Sequence, residues 1–318
     1  MVSEFELIDR FFTRPAPGAR LGIGDDAALI EPTDGCELVM TVDTLVSGKH
    51  FAPDVAARAL GHKSLAVNLS DIAAMGACPR WAMLAITLPE VDEAWLGEFA
   101  EGFHALASAH GVGLIGGDTT RGPLSITVTV TGEVARQRAL RRATAQPGDE
   151  VWVSGQIGSA ALALRHRRGE LRLKGSDLEA CNARLDTPLP RVELGQALSG
   201  IASSAIDISD GLVAEARHIA EASGMAIELG YESVPVLPGV MHLKQDQLVR
   251  NAVLSGGDDY ELLFTVPARN AANLDSVSAR LGLSLTRIGR VTNGSGVRVL
   301  DASGAELGAG SGGYDHFA

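Results

Sequence analysis

Apolar residues recur along this chain at helical and at strand spacing, and they fall into two patterned halves. In the first half the spacing predicts helices over residues 1–12, 55–76 and 92–110, and strands over residues 82–88 and 125–132. The apolar positions of the 55–76 segment are imperfectly periodic. The stretches 27–30 and 38–42 flank a turn-forming segment from Glu31 to Gly35, which predicts a β-hairpin.

The second half begins again with strands that lead through glycine turns into helices. One strand starts at Val151 and passes through the turn Ser154–Gly158 into a helix that ends near Arg168. Another occupies residues 205–208 and passes through Ser209–Gly211 into a second helix. Beyond these, the pattern predicts a loop over residues 252–257, a strand over 260–266, a helix over 270–281 and two strands within 284–300.

A basic, turn-rich segment over residues 141–148 separates the two halves. We therefore expect two domains, over residues 1–142 and 143–318. Because strands and helices are intermixed in both, the predicted fold class is α/β, or α+β-like, with the active site in the cleft between the two domains.

Composition and charge narrow the partners that the chain can take. Its 318 residues are 46% hydrophobic and 21% charged, which is a globular composition, and the formal net charge of −12 disfavours nucleic acid and anionic membrane surfaces. Three scattered cysteines, Cys36, Cys78 and Cys181, form no CxxC pair, which argues against a disulfide framework and a zinc site. No apolar run reaches the roughly 18 residues of a membrane span, and no apolar targeting segment follows Met1. We expect a cytoplasmic protein.

Aspartates recur where a short apolar run gives way to glycine, serine or another aspartate. These positions are Asp25, Asp26, Asp43, Asp71, Asp118, Asp207, Asp210, Asp258 and Asp259. Two unit charges about 4 Å apart repel by roughly 4 kcal/mol at an effective dielectric constant of about 20, so acids that converge need cations. Oxygen ligands without clustered histidine or cysteine favour Mg²⁺, which usually binds through one or two carboxylates, waters and a substrate's phosphates. The pattern therefore predicts a Mg²⁺–nucleotide enzyme.

Several motifs also have simpler interpretations. The segment from Gly22 to Ala27 matches GxGxxA, but no strand precedes it and two acids stand where a pyrophosphate needs backbone donors, so a Rossmann site is rejected. No GxxxxGK(S/T) sequence occurs, which excludes a P-loop kinase. The turn Ser154–Gly158 either receives phosphate at a helix N-terminus or only joins a strand to a helix. One acid between Asp207 and Gly211 suits a helix N-cap, but two acids are not explained in that way.

The acidic segments, taken in order, resemble one family. They are Gly22–Ala27, Val42–Val46 with His50 and Phe51, Asn68–Gly76, Gly116–Gly122, Asp207–Gly211, Ser255–Leu262 and Gly313–Phe317. Their order and content resemble the thiamine-monophosphate kinases, of the aminoimidazole ribonucleotide synthetase-like ATP-binding superfamily. The resemblance implies an N-terminal α/β domain that pairs in a homodimer and a C-terminal α/β domain. It also implies that ATP and thiamine monophosphate react to give ADP and thiamine diphosphate, the last step of thiamine diphosphate biosynthesis in bacteria.

The resemblance implies roles for individual residues as well. The implied ligands of several Mg²⁺ ions are Asp26, Thr41, Val42 through its main-chain carbonyl, Asp43, Asp71, Asp118, Asp207 and Asp210. The implied ATP contacts are Gly117, Asp118, Arg142 and Ser209, and the implied thiamine monophosphate contacts are His50, Asp258 and Tyr314. The family more often has glutamate at the position of Asp258, so that contact is expected to be one methylene shorter or bridged by water.

The chemistry of the acceptor explains why no catalytic acid or base is assigned. A phosphate monoester has a second pKa of about 6, so it is already largely a dianion at neutral pH and needs no general base. In-line phosphoryl transfer then depends on positioning and on neutralisation of charge by Mg²⁺ and Arg142.

Three rival functions remain open at this point. The nearest is another ATP enzyme of the same superfamily, such as a selenophosphate or purine-pathway synthetase. A selenophosphate synthetase usually has a reactive cysteine or selenocysteine near its N-terminus, and no cysteine precedes Cys36 here. A non-catalytic Mg²⁺–nucleotide sensor would show no turnover. A Mg²⁺ phosphatase would release phosphate from thiamine monophosphate without ATP.

Overall fold

The computed structural model describes residues 3–308, which form two compact units. The chain divides between Gln137 and Arg138, except that the short segment Ala73–Gly76 belongs with the C-terminal unit. Each unit combines helices with a β-sheet, so the predicted α/β class is confirmed for both.

The N-terminal unit is built on a four-stranded sheet. In chain order its elements are α1 (Glu4–Leu7), a π-helical turn (Ile8–Phe12), β1 (Ala19–Leu21), β2 (Leu29–Ile30), β3 (Cys36–Val46), α2 (Ala57–Ala74), β4 (Cys78–Leu88), α3 (Glu93–Ala109), β5 (Gly113–Arg121) and β6 (Ser125–Ala135). The sheet has the order β3-β6-β4-β5, and its pairs are antiparallel except for β4 and β5. A parallel pair requires a crossover connection, which α3 provides.

The predicted hairpin between residues 27 and 42 is wrong. β2 pairs with β1, whereas β3 pairs along its whole length with β6, from Cys36 opposite Ala135 to Val46 opposite Ser125. The turn signal in the sequence is local. It is outweighed by a long antiparallel ladder to a strand that is distant in the chain.

From Leu60 to its end α2 is almost entirely buried, which explains its irregular apolar spacing. Its polar residues Ser64, Asn68 and Ser70 are at most 1% exposed. A helix that is covered on all sides needs no apolar stripe. Two of these side chains bond within the helix, since Ser64 Oγ donates to Gly61 O at 2.9 Å and Asn68 Nδ2 donates to Ser64 O at 3.2 Å.

The C-terminal unit contains a seven-stranded sheet. Its elements are β7 (Glu150–Ser154), α4 (Ser159–Arg167), α5 (Gly175–Asp186), α6 (Val192–Leu198), β8 (Ser204–Asp207), α7 (Leu212–Ser223), β9 (Ala226–Gly230), α8 (Gln247–Ser255), β10 (Leu262–Val266), α9 (Asn273–Leu281), β11 (Leu285–Thr292), β12 (Gly296–Leu300) and β13 (Glu306–Leu307). Short 3₁₀ turns occupy Arg142–Thr144, Tyr231–Ser233, Pro238–Leu243 and Ala268–Asn270.

This sheet has the order β13-β12-β9-β11-β7-β10-β8 and is antiparallel except between β12 and β9. Alternate strand residues such as Val151, Val153 and Leu263 enter one apolar core together with residues of α4, α5, α7 and α8. The strands predicted within residues 284–300 exist as β11 and β12, but they do not pair with each other because β9 lies between them. The loop predicted over residues 252–257 is wrong, because α8 continues to Ser255.

No helix within residues 3–308 is long and apolar enough to cross a lipid bilayer.

Two glycines bring α2 and α3 into main-chain contact. A Cβ atom at Gly61 would lie 2.0 Å from Phe99 O, and one at Gly102 would lie 1.9 Å from Arg58 O. Neither position has room for a side chain, so the two helices pack through their backbones.

We expect Gly102→Ala to destabilise the protein by about 1–3 kcal/mol, because overpacking forces the two helices apart and outweighs the better helix propensity of alanine. Gly97→Ala, in the same helix, is the matched control, since its new Cβ would meet only Phe11 Cε1 at 3.7 Å. Denaturant unfolding of both variants measures the difference. Equal stability of the two variants would contradict the packing described above.

Candidate active site

Thr41 and Asp71 are in direct contact on the helix-covered face of the N-terminal sheet. Thr41 Oγ1 donates to Asp71 Oδ2 at 2.5 Å, which joins β3 to α2. Asp43 lies two residues further along β3 and therefore on the same face. Val42 points to the opposite face, where it is 60% exposed, so only its carbonyl could act as a ligand on this side.

Asp118 lies at the other edge of this sheet. β5 is separated from β3 by β4 and β6, so the two strands stand about 14 Å apart at about 4.8 Å per strand spacing. Asp118 instead lines a cavity of about 670 Å³ together with Gly117, Asp25 and Asp26. The predicted acidic ligands of this unit thus form two groups, one around Thr41 and one around the cavity.

Apolar side chains form much of the cavity wall. Phe5, Ile8 and Phe12 come from the N-terminal helical segment, and Leu114 and Ile115 come from β5. Acidic residues of the Gly22–Ala27 segment and Asp118 add negative charge, so the cavity combines an apolar wall with an acidic rim.

Within residues 3–308, no three carboxylate, imidazole or thiol groups are grouped as a preformed metal site. The donors that are present nevertheless fit Mg²⁺. This ion usually takes one or two protein carboxylates and completes its coordination shell with water and phosphate oxygens. The Thr41–Asp71 pair and the acids of the cavity are oxygen donors of that kind.

In the C-terminal unit, the loop Ile208–Gly211 and the loop Gly256–Glu261 are held together by main-chain hydrogen bonds. Asp258 N–H donates to Ser209 O at 2.8 Å, Tyr260 N–H to Ile208 O at 2.9 Å, and Ile208 N–H to Glu261 O at 2.8 Å. A Cβ atom at position 257 would lie 2.3 Å from Ser209 O, so a glycine is required there. The structure therefore brings together the loops that carry the predicted residues Ser209, Asp210 and Asp258, and Asp207 ends β8 directly before the first of these loops.

Glu215 is a site residue that sequence reasoning missed. It is 3% exposed, and its Oε1 accepts hydrogen bonds from Ser209 Oγ at 3.3 Å and from Asp210 N–H at 3.1 Å. Burial raises the pKa of Glu215, although the bond from Asp210 and the charge of Arg142 oppose this shift. No sequence signal identified it, because a glutamate in the first turns of a helix is common.

Asp258 and Tyr260 have left-handed backbone conformations, with φ of 67° and 50°. Such conformations cost about 1–2 kcal/mol for residues other than glycine, and strain of this kind is often found at functional sites. Tyr260 OH donates to Asp258 Oδ1 at 2.8 Å, which orients the Asp258 carboxylate.

Asp259 occupies the position at which the turn Ser154–Gly158 could have received a phosphate. Its two carboxylate oxygens accept from Gly158 N–H at 2.9 and 2.8 Å, directly before α4. The main-chain donor before this helix is already bonded to a buried side-chain carboxyl, which favours the strand–helix joining role. Burial raises the pKa of Asp259 well above its ordinary value.

The remaining predicted contacts are His50, Arg142 and Tyr314. His50 Nδ1 accepts from Val46 N–H at 3.0 Å, which fixes the turn after β3. Arg142 is exposed and begins a 3₁₀ turn, and its carbonyl accepts from Ser223 Oγ at 2.9 Å. Tyr314 lies outside the described residues.

Comparison with known proteins assigns the family. The models of the AIR synthase related proteins match this chain over residues 24–134 for the N-terminal domain and 146–302 for the C-terminal domain. The thiamine-monophosphate kinase of Salmonella typhimurium is 44% identical over 321 residues, covering 99% of this chain and 98% of that protein. This chain belongs to the thiamine-monophosphate kinase family. The resemblance inferred from the acidic motifs is therefore confirmed.

Solved structures of the family have the same fold. The crystal structure of the thiamine-monophosphate kinase from Stenotrophomonas maltophilia is 48% identical with a TM-score of 0.87, covering 94% of this chain and 96% of that one. A structure described as AaThiL complexed with AMPPCP and TMP is 30% identical with a TM-score of 0.79, covering 99% and 97%.

Asp259→Asn should gain stability relative to the wild type as the pH rises. Since the folded-state pKa of Asp259 is raised above 3.8, its contribution to stability is fully present below that value and is lost as the pH rises through the folded-state pKa. Asparagine keeps an acceptor for Gly158 N–H and has no group that ionises, so it does not lose stability in this way as the pH rises. Urea unfolding from about pH 5 to about pH 8 measures the trend. Glu179→Gln, an exposed change in the same unit, should show no such trend with pH. A difference in stability between Asp259→Asn and the wild type that does not change with pH would contradict the raised pKa of the buried Asp259 carboxyl.

Proposed function

We propose that this protein transfers the γ-phosphoryl group of ATP to thiamine monophosphate, giving ADP and thiamine diphosphate. The observation that carries the proposal is the end-to-end match to thiamine-monophosphate kinases, at 44% identity over 99% of the chain. AaThiL, which matches 99% of the chain, is described as a complex with TMP and with AMPPCP, an analogue of ATP. The oxygen donors of the candidate site and its two hydrogen-bonded loops suit phosphate chemistry.

The proposed Mg²⁺ ligands all offer oxygen atoms. They are Asp26, Thr41, Val42 through its carbonyl, Asp43, Asp71, Asp118, Asp207 and Asp210. When bound, Mg²⁺ neutralises the negative charge of the phosphates that must approach one another. Asp26 and Asp118 are exposed and Asp43 and Asp71 half-buried, so these carboxylates can exchange water for an ion.

The proposed nucleotide contacts are Gly117, Asp118, Arg142 and Ser209, and the proposed thiamine monophosphate contacts are His50, Asp258 and Tyr314. Arg142 is exposed and presents a planar fork of donors that matches phosphate oxygens. The Asp258 carboxylate suits the thiazolium cation, and the ring of Tyr314 suits stacking on a flat ring.

The reaction needs positioning more than proton transfer. The terminal oxygen of the acceptor phosphate attacks the γ-phosphorus, a new P–O bond forms, and the bond between the γ-phosphorus and the β,γ-bridging oxygen breaks so that ADP leaves with its electron pair. Because the acceptor is already largely dianionic at neutral pH, no side chain has to remove a proton. Arg142 offsets the charge, and Glu215 keeps Ser209 and the Asp210 main chain in place.

We also propose a homodimer formed through the exposed face of the four-stranded sheet. On β3, Leu38, Met40, Val42 and Val46 are 42%, 66%, 60% and 37% exposed, and Met83 on β4 is 47% exposed. Val42 and Met83 both lie opposite Thr129 in the sheet register, so the apolar side chains of β3 and β4 flank threonines of β6 on the same face. A sheet face with several exposed large apolar side chains favours association with another protein surface, and a second copy of the chain would cover it.

The proposed location is the cytoplasm. Cys36, Cys78 and Cys181 are free thiols, which is compatible with a reducing compartment. ATP and a phosphorylated precursor are substrates that such a compartment supplies.

The activity is tested by ³¹P NMR of the purified protein with ATP, Mg²⁺ and thiamine monophosphate. We expect ADP and thiamine diphosphate to appear together, and neither to appear without Mg²⁺ or with thiamine in place of its monophosphate. Unchanged ATP would instead support a sensor. Free phosphate from thiamine monophosphate without ATP would support a phosphatase, and consumption of ATP with another acceptor would support a different synthetase.

The same assay examines the proposed ligands with a matched pair on β3. Thr41→Val removes the hydroxyl that bonds to Asp71, and we expect the Mg²⁺ concentration for half-maximal activity to rise about tenfold or more. Thr44→Val removes a hydroxyl on the opposite face, which bonds to Thr127 Oγ1 at 2.9 Å, and should leave that concentration unchanged. Equal effects of the two changes would show that Thr41 acts only in packing.

Met40→Glu should convert the dimer to a monomer, because it places a charge in the proposed interface. Val91→Glu is the matched control, since Val91 is 52% exposed and lies outside the sheet. Sedimentation velocity at several protein concentrations measures the mass. A dimer that survives Met40→Glu, or that is lost equally with Val91→Glu, would rule out this face as the interface.

A further inference from the structure

A buried carboxylate lies at the end of the loop that carries Asp258. Glu261 is 1% exposed. Its Oε2 accepts from Ser154 Oγ at 2.5 Å and from Arg191 Nε at 2.6 Å, and its Oε1 accepts from Arg191 Nη2. Arg184 Nη1 lies 3.7 Å from Oε1. The Glu261 carboxylate is thus held by a bidentate contact with Arg191, by the hydroxyl of Ser154 and by the positive charge of Arg184.

The space around this carboxylate is tight. A Cβ atom at Gly155 would lie 2.1 Å from Glu261 Oε1, so the carboxylate rests against the main chain of the turn that follows β7. Arg191 directly precedes α6, and its side chain is only 13% exposed. The Arg191–Glu261 pair therefore connects the start of α6 with the start of β10 through a contact that is largely shielded from water.

Glu261 is also fixed through its main chain. Its carbonyl accepts from Ile208 N–H at 2.8 Å, and the next residue, Leu262, donates N–H to Ser154 Oγ at 2.9 Å. The residues just before it, Asp258 and Tyr260, have the positive φ values described above. A segment with two such conformations needs firm anchoring at its end, and Glu261 provides that anchor.

We infer that Arg191 is a positioning residue that acts through Glu261 to hold the Gly256–Glu261 loop, and with it the Asp258 carboxylate, in the conformation that recognises thiamine monophosphate. The inference deepens the proposed function and rests on it for the role of Asp258. Arginine is required rather than lysine, because two of its nitrogens, Nε and Nη2, donate to the carboxylate at once and lysine offers a single point charge.

The test compares Arg191→Lys with Arg290→Lys. Arg290 is the matched control, because its Nε donates to Oε2 of the buried Glu228 at 2.6 Å in the same unit, on strands β11 and β9. Two quantities are measured for each variant. One is the amide hydrogen exchange of Asp258 and Tyr260, whose N–H groups bond to the neighbouring loop. The other is the pair of KM values for thiamine monophosphate and for ATP.

For Arg191→Lys we expect roughly tenfold faster exchange at Asp258 and Tyr260, and roughly tenfold higher KM for thiamine monophosphate with KM for ATP changed by less than about twofold. Arg290→Lys should change none of these quantities. A merely structural role would lower the fraction of active enzyme without separating the two KM values.

Unchanged exchange at Asp258 and Tyr260 in Arg191→Lys would overturn the inference, and so would KM values that rise equally for both substrates. If Arg191→Lys does not fold, Ser154→Ala is the second variant. It removes one donor to Glu261 and the acceptor of Leu262 N–H, and the same exchange and KM pattern is expected with smaller amplitude. A wild-type protein that does not phosphorylate thiamine monophosphate would refute the proposed function, whereas the exchange result would still decide whether Arg191 holds the loop.

Discussion

Three main-chain hydrogen bonds between the Ile208–Gly211 and Gly256–Glu261 loops are the constraint on which the C-terminal part of the site depends. They fix two acidic segments against each other even though carboxylates repel. Main-chain groups can hold the two loops together because N–H and C=O form the same hydrogen bonds whatever charge the side chains carry. The side chains of Asp210 and Asp258 are then presented from a rigid pair of loops rather than from two independent ones, which lowers the entropy lost when a ligand binds.

The acidic side chains of the site fall into two groups, one buried and one exposed. Asp259, Glu261 and Glu215 are buried, and each accepts hydrogen bonds from protein donors that are already in place. Asp26 and Asp118 are exposed and line an open cavity. The first group determines the shape of the loops, and the second group has oxygen atoms to offer to a cation. Sequence alone does not separate buried from more accessible acids, since Asp259 is buried whereas its neighbour Asp258 is only half-buried.

The parts of the fold that follow from local pattern were predictable, and the parts that depend on distant pairing were not. α3 and β6 have regular apolar spacing and were predicted within a few residues. β3 was placed in a hairpin because its turn residues are adjacent, whereas its true partner β6 is far along the chain. Ser255, Gly256 and Gly257 are turn-forming residues and predict a loop over residues 252–257, whereas α8 continues to Ser255. In the site, motifs identified the acidic loops, but Glu215, Arg191 and Glu261 act through three-dimensional contacts that no spacing reveals.

The missing side chain at Gly155 limits the substitutions that this protein can tolerate. The Glu261 carboxylate fills the volume that a Cβ at position 155 would need, and the Arg191 guanidinium donates to both oxygens of that carboxylate. A mutation to any larger residue at position 155 can therefore persist only with a shorter residue at position 261, and that in turn leaves the guanidinium at position 191 without its counterion. These three positions, which are far apart in the chain, are therefore coupled in this structure, so that a larger side chain at position 155 requires compensating changes at positions 261 and 191.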